Sequence, residues 1–411
     1  MQTPILTHEL IDDLNPVEKT LLHTPSSPET GDDTISESAE IALINEGAFG
    51  CIYHPGIKCN GKLENRRYIT KIQKKNSTTE NEWTISRRIR KKIPTFRNFF
   101  APISKQCPVK IQKKYIKDIR KCKVFQKETE EMITSTEYIS NKIRFLGDKT
   151  MKTYFYNIVL GEITPIKSMS METFFWKKLI ETHTRLLKSI HILLVAGIIH
   201  MDIKAGNIMI EPLQHHPIFI DFGISVIHKH MIPEQSFYVY DAYTSWCFDI
   251  VVCNYVVQKI GMDKASNTKV MEDEVAEIIK TFQFGKSGSS IQNEIFNTTI
   301  VSKTTVNSFI QELTLYMKET FIDTNKTWED VYTHFTNHKY TTWDSYALGA
   351  MYLCLLDYIK QTEPNLFHYI EIANGGKTLK TYVEILERTV FSTPNKRPAI
   401  EYTLSLLKTV R

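Results

Sequence analysis

The chain has 411 residues, 42% of them hydrophobic and 24% charged, with a formal net charge of +5. This is ordinary globular composition, enough for one large domain or two moderate ones, and the charge is too small to imply nucleic-acid binding by itself. Seven cysteines, an odd number with no regular spacing, argue against a disulfide framework and suit a reducing compartment. Cys51, Cys59, Cys107 and Cys122 form no C-x-x-C pair, so a zinc site is disfavoured as well. The N-terminus lacks the basic and apolar regions of a signal peptide. The longest apolar run, Ile190 to Ile199, is interrupted by His191, is far short of the ~20 residues of a membrane span, and is expected as a buried helix. A soluble, intracellular protein is expected.

Residues 1–38 are rich in Asp, Glu, Ser, Thr and Pro with a single Lys, and are expected as a flexible acidic tail. From Leu43 the pattern becomes strand, glycine turn (Gly47 to Gly50) and strand (Cys51-Ile52-Tyr53), with a further strand over Arg67–Ile72. Glu80 to Lys92 reads as a helix with Trp83, Ile85 and Ile89 near one face. Residues 62–127 hold 21 Lys and Arg against 4 Asp and Glu. That asymmetry suits contact with nucleic acid, an anionic membrane or an acidic substrate, but a solvated helix face with loops is the favoured account of it; the acidic tail folding back on it is a further reading.

Glu172 to Gly197 has apolar residues at helical spacing, residues 236–340 are helical in composition with a Gly/Ser loop at Gly285–Ser290, and Trp343–Ile359 is a strongly apolar helix. Two amphipathic segments, Leu379–Phe391 and Ala399–Val410, close the chain. Strands with one helix come first and helices follow, which predicts an α+β chain of two lobes of different character. The expected divisions are the tail at 1–38, a nucleotide-binding lobe at 39–165 and a catalytic lobe at 166–411, with 236–340 divergent.

The chemistry is concentrated in His200-Met201-Asp202-Ile203-Lys204-Ala205-Gly206-Asn207 and, shortly after, Asp221-Phe222-Gly223. Phosphoryl transfer from a nucleotide needs a carboxylate to receive the acceptor's proton, oxygen ligands for magnesium, and a cation to offset charge on the moving group. Asp202, Asn207 with Asp221, and Lys204 are those three kinds of group. Asn45-Glu46-Gly47-Ala48-Phe49-Gly50-Cys51-Ile52 is a candidate phosphate-covering loop, since glycines let backbone amides approach phosphate oxygens. Lys71, in strand context, can clamp phosphates if a carboxylate holds it. Glu82, with Ile85 and Ile89 at i+3 and i+7, is the expected partner, and Glu80 the alternative.

In these motifs, from about Leu43 to the C-terminus, the chain resembles the eukaryotic-type protein kinases. The resemblance implies a bilobal fold, with a small antiparallel β lobe carrying one helix and a larger, mainly helical lobe, and with ATP in the cleft. By resemblance Asp202 is the catalytic base and Lys204 contacts the transferred phosphate. Asn207 and Asp221 hold Mg²⁺, or Mn²⁺ in its place. Lys71 paired with Glu82 positions the phosphates, and Asn45, Gly47, Ala48, Phe49, Gly50 and Ile52 belong to the nucleotide-covering strand and turn. Trp343-Asp344-Ser345-Tyr346 resembles the helix that braces the catalytic loop, with Asp344 as anchor, and Asn395-Lys396-Arg397-Pro398 the closing arginine motif. Lys204 is the mark of the serine/threonine members and argues against the small-molecule phosphotransferases of this fold.

Three departures stand out. Asn45 replaces the first loop glycine, and asparagine tolerates unusual backbone angles. Met201 replaces the arginine that grips a phosphorylated activation loop, which predicts activity without that phosphorylation. No A-P-E follows Asp221; Tyr243-Thr244-Ser245-Trp246-Cys247-Phe248-Asp249 stands there instead, so Arg397 has no obvious glutamate partner. Trp246 reads as a substrate anchor or, at least as well, as core. Gly-Ala-Phe-Gly-Cys-Ile-Tyr, Pro55, Cys59 and the Trp-Cys-Phe-Asp block resemble the divergent kinases of large cytoplasmic DNA viruses, which implies host cytoplasm and packaging in virions. The competing readings are a pseudokinase scaffold, disfavoured because base, metal ligands and strand lysine all survive, and a kinase-fold phosphotransferase for a small molecule or lipid.

Overall fold

The computed structural model describes residues 41–47, 50–165, 169–237, 245–284 and 291–410. The acidic tail, Ala48, Phe49, Tyr243, Thr244 and the Gly285–Ser290 loop lie outside the described residues. The chain is α+β and divides into two compact units. The first runs to Gly147 and takes in Ile220–Gly223; the second is Asp148–Phe219 with Ile224–Arg411. The division expected at 165 falls earlier because α2 (Met151–Val159) packs with the second unit, where Thr150 bridges to Met209.

The first unit is built on an antiparallel sheet of β1 (Ala42–Gly47), β2 (Gly50–His54), β3 (Tyr68–Gln73), β4 (Lys105–Lys110) and β5 (Glu137–Arg144), in the order β1-β2-β3-β5-β4. Period-2 alternation sends Cys51, Tyr53 and Ile72 to one face, into a core with Tyr115, Ile116, Ile119, Phe125, Ile133 and Tyr138. Helix α1 (Ser77–Lys92) buries Glu82, Ile85, Ser86 and Ile89. It starts three residues before the expected Glu80 because Asn76 and Thr79 form a reciprocal cap, Thr79 N–H donating to Asn76 Oδ1 at 2.9 Å and Asn76 N–H to Thr79 Oγ1 at 2.9 Å.

The expected absence of a disulfide framework is overturned. Cys51 is bonded to Cys122 and Cys59 to Cys107, with Cα atoms 6.3 and 5.8 Å apart, within the span a disulfide bridges. The odd total misled because the cysteines segregate. Four pair in the first unit, and Cys247, Cys253 and Cys354 are free in the second.

The second unit is mainly helical. Helix α3 (Met171–Val195) is capped by Ser170, whose side chain accepts from Thr173 N–H. Gly197, at φ 74°, turns the chain out of it, so Ile198–Ile199 is strand β6 and not the end of the expected buried helix. Strands β7 (Ile208–Ile210) and β8 (Pro217–Phe219) pair with each other, and β9 (Val226–Ile227) pairs with β6. The 236–340 stretch contains α4 (Phe248–Tyr255), α5 (Glu272–Phe284) and α6 (Lys303–Met317), joined through edge-to-face rings: Phe282 lies 5.5 Å from Phe248 and 5.2 Å from Phe296, and Phe309 lies 5.8 Å from Phe391. Helix α7 (Trp343–Thr362) is buried on nearly every side and packs against α3 and α8 (Lys377–Val390). Among the described residues no helix is long and apolar enough to cross a membrane.

Candidate active site

Within the first unit, β1 and β2 pair as a hairpin in which Gly47 faces Gly50. A Cβ on Gly50 would come within 2.6 Å of the Ile72 carbonyl oxygen and 2.7 Å of Gln73 Cβ, so only glycine lets β2 lie this close to β3. Asn45 takes no left-handed conformation; it sits in β1 beside a register shift, and its Oδ1 accepts from Glu46 N–H at 2.9 Å. Ile52 stands opposite Lys71 across the β2–β3 ladder.

Lys71 projects from β3 on the face opposite Ile72 and donates to Glu82 Oε2 at 3.0 Å and Asp221 Oδ1 at 3.1 Å. Of the two carboxylates weighed for Lys71, Glu82 is the one that reaches it. Glu80 is exposed and 3.6 Å from Lys75. Burial alone would lower the lysine's pKa, but the carboxylates of Glu82 and Asp221 overcome it and hold the ammonium above its ordinary range. Burial pushes Glu82 upward, and the attraction of Lys71 opposes it. Asp221 has φ 58°, a conformation that costs a non-glycine residue about 1–3 kcal/mol and marks functional sites. Its neighbours hold the turn: Asn81 Nδ2 donates to the Gly223 carbonyl at 3.0 Å, and Phe222 packs edge-on against Phe100 at 6.2 Å.

Within the second unit, the loop after β6 is held from behind by Asp344 at the start of α7. Its carboxylate accepts from His200 N–H at 2.7 Å and Met201 N–H at 3.0 Å. Burial raises the Asp344 pKa, and His200 with these two amide bonds pulls against that rise. Ser225 Oγ donates to the His200 carbonyl at 3.0 Å. Met201 takes φ 66°, and its carbonyl accepts from Trp246 Nε1 at 2.9 Å. The Met201 peptide is thus gripped on both sides, and Asp202 follows it directly. Asp202 Oδ2 accepts from Lys204 Nζ at 3.1 Å and Asn207 Nδ2 at 2.7 Å, and Asn207 Nδ2 also donates to the Asp202 carbonyl at 3.0 Å.

The Asn207 nitrogen is spent on Asp202, which leaves the amide oxygen as that side chain's acceptor. Asp221 offers carboxylate oxygens on a side chain 42% exposed. Both are hard oxygen donors, the chemistry Mg²⁺ prefers. Among the described residues no group of three or more His, Cys, Asp and Glu is placed to hold a metal ion.

Arg397 has no glutamate partner among these contacts, but it has an aspartate. Its Nη2 donates to Asp249 Oδ2 in a buried ion pair, and its Nη1 donates to Thr342 Oγ1 at 3.0 Å. Asp249 opens α4, two residues after Cys247, so a carboxylate arrives where no A-P-E could be read. Trp246 is buried against the Met201–Asp202 loop, which favours its reading as core over substrate anchor. The available signal was the aromatic block itself, since a carboxylate inside a run as apolar as Trp246–Ile250 needs a buried cation.

No protein-family model matches the chain. Over 86 residues, 21% of its length, it is 38% identical to the serine/threonine-protein kinase D of Synechocystis sp., and the match covers 15% of that protein. Part of the chain is therefore similar to a serine/threonine kinase, and it spans only a small fraction of that relative's length.

Proposed function

We propose that the chain is an ATP-dependent protein kinase that phosphorylates serine and threonine. The observation that carries the reading is Asp202, a carboxylate presented by a loop tied to Asp344 and Trp246 and touched by Lys204 and Asn207. It is joined by the buried Lys71–Glu82 pair and the left-handed Asp221 of the first unit. The first unit corresponds to the nucleotide-binding lobe of the kinase-like fold and the second to the catalytic lobe.

Lys71, oriented by Glu82, binds the inner phosphates of ATP, and the β1–β2 hairpin covers them with backbone amides. Asn207 and Asp221 are the residues that would hold magnesium, which would supply positive charge against the phosphates. Asp202 orients the acceptor hydroxyl and takes its proton as that oxygen bonds to the γ-phosphorus and the bond from phosphorus to the ADP oxygen breaks. Lys204 offsets charge on the phosphoryl group in flight. Positioning and fixed charge carry most of such catalysis. The substrates are proteins with accessible Ser or Thr hydroxyls. The viral style of the motifs extends the reading to an enzyme working in infected host cytoplasm and carried in virions.

The test is transfer of radiolabelled phosphate from Mg-ATP to a mixed protein substrate, wild type beside Asp202→Ala, with phosphoamino-acid analysis. The expected outcome is phosphoserine or phosphothreonine from wild type and turnover lower by about 10²–10⁴ in the variant, with ATP binding retained. No transfer by a wild-type protein that still binds ATP would overturn the reading in favour of a scaffold.

A further inference from the structure

The stretch from Lys105 to Lys127 holds nine Lys and Arg, all exposed, and a single acid, Asp118; from outside it Glu46 pairs with Lys123 at 2.6 Å, which leaves Lys113, Lys114, Lys117 and Arg120 as the group at issue. Asp118 is turned inward and bridged by Lys121 at 2.7 Å. The next carboxylate, Glu128, is also buried, against Lys74 and the Tyr138 hydroxyl. The backbone that bears these charges is pinned. Cys107 and Cys122 are in disulfides, Tyr115, Ile116, Ile119 and Phe125 sit in the core, and Tyr53 donates to the Ile119 carbonyl at 3.0 Å. The result is a preorganised cationic surface. Its two aromatic residues, Tyr115 and Phe125, are buried, so it offers no stacking platform for unpaired bases. Like charges gathered this way repel one another and favour an anionic cover.

We propose that the cover is the chain's own residues 1–40, docked on this surface by charge. Those residues carry nine Asp and Glu and one Lys, and five of the acids fall between Glu29 and Glu40. The point of attachment favours this occupant. Ile41 is buried in the same core cluster as Tyr115, Ile116, Ile119 and Cys122, and the helical turn Ile116–Ile119 packs on β1. The described chain therefore begins, at Ile41, in the core that also holds the turn bearing Lys117, which Lys113 and Lys114 precede and Arg120 follows. A dozen residues reach up to about 40 Å when extended, which spans the surface. Tethering adds an effective concentration of order millimolar, which an external polyanion must overcome. The inference stands on charge and attachment alone and does not rest on phosphoryl transfer.

The experiment uses the full chain. A carbodiimide, which joins carboxylates to lysines in direct contact, is applied at about 50 mM and about 500 mM salt, conditions that bracket the screening of exposed charge, and cross-links are mapped by mass spectrometry. Links from Glu29–Glu40 should concentrate on Lys113, Lys114, Lys117 and Lys121 and vanish at high salt. In parallel, binding of a DNA duplex and of phosphatidylserine vesicles is measured by fluorescence. Neutralising Glu29, Asp32, Asp33, Glu37 and Glu40 to their amides should tighten binding of either probe about tenfold or more. Adding Lys113→Gln, Lys114→Gln and Lys117→Gln should cancel that gain. Cross-links scattered over unrelated lysines, unchanged probe binding, or a gain that survives the lysine substitutions would each overturn the proposal. Tight binding of duplex or vesicles by wild type, unaffected by the neutralisation, would assign the surface to that external partner.

Discussion

Two buried cation–carboxylate pairs, one in each unit, show how the same chemistry serves opposite ends. Lys71–Glu82 lies at motif spacing in the first unit, and Arg397–Asp249 joins residues 148 apart in the second. The ammonium of Lys71 carries three protons on a flexible stem. Two are spent on Glu82 and Asp221, and Asp221 is 42% exposed. That pair can turn toward an incoming anion. Arg397 is enclosed, with side-chain exposure of 2% against 0% for Asp249, and its planar fork is fixed by Thr342 and the ring of Tyr346. It exchanges with nothing and works as a permanent brace under α4. A buried ion pair is thus a functional signal when one side of it stays open, and a structural one when the enclosure is complete.

The contrast is broken first at the brace. Arg397→Met leaves the Asp249 charge buried without a partner and should cost about 3–5 kcal/mol, a fall in Tm of about 10 °C by calorimetry. Adding Asp249→Leu should restore most of the loss, because two apolar groups need no partner. A single variant that melts like wild type would mean the pair is not a brace. Lys71→Met should behave in the opposite sense. Its kcat/KM for Mg-ATP should drop about 10²–10³, and its Tm should move less than that of Arg397→Met, because Glu82 retains the option of protonation beside the open side of Asp221. A large loss of Tm with little loss of rate would reverse the two assignments.

The first of these pairs was legible in the sequence and the second was not, for physical reasons. Strand alternation over Arg67–Ile72 and the 3.6-residue period of Glu82, Ile85 and Ile89 are local, so they specify which side of β3 and α1 each residue faces. The Gly47–Gly50 turn, α3, α7 and the ordering of Asp202, Lys204 and Asn207 are likewise set by short-range pattern. Arg397–Asp249, the Trp246 contact with Met201 and the two disulfides depend on which distant segments meet, and a single chain carries no local mark of that. The cysteine count failed for the same reason, since parity over the whole chain says nothing about parity within one unit. The signal that could have found Asp249 is energetic, a charge inside an apolar run.

A third buried titratable group sharpens the comparison through pH. His183 on α3 is stacked on Tyr352 at 4.2 Å, bonded through Nδ1 to the Tyr382 hydroxyl at 2.8 Å, and pushed down to about 3 by burial. It has no carboxylate to hold a proton, unlike Lys71 and Arg397. Below about pH 6.5 the unfolded chain binds a proton that the folded state refuses. The contribution is complete above that pH and is lost as pH falls toward 3. At pH 5.5 the loss should be about 1 kcal/mol. His183→Phe should flatten that part of the profile, measured as Tm between pH 5 and 7 relative to wild type; parallel profiles would mean that His183 accepts a proton in the folded state.

The smallest expected effect is none. Where an arginine beside Asp202 would grip a phosphate, this chain has Met201, whose side chain binds no anion. Its backbone does the holding instead, with its N–H on Asp344 and its carbonyl on the indole of Trp246. Trp246 in turn stands three residues before Asp249, which Arg397 fixes. This chain of contacts runs from the brace to the Met201–Asp202 loop within the second unit and is made by the chain's own backbone and side chains. On the proposed function, phosphatase treatment of the purified protein should leave the rate of phosphate transfer unchanged. A large drop, restored by incubation with Mg-ATP, would show that an added phosphate completes the loop and that the Trp246 contact does not suffice.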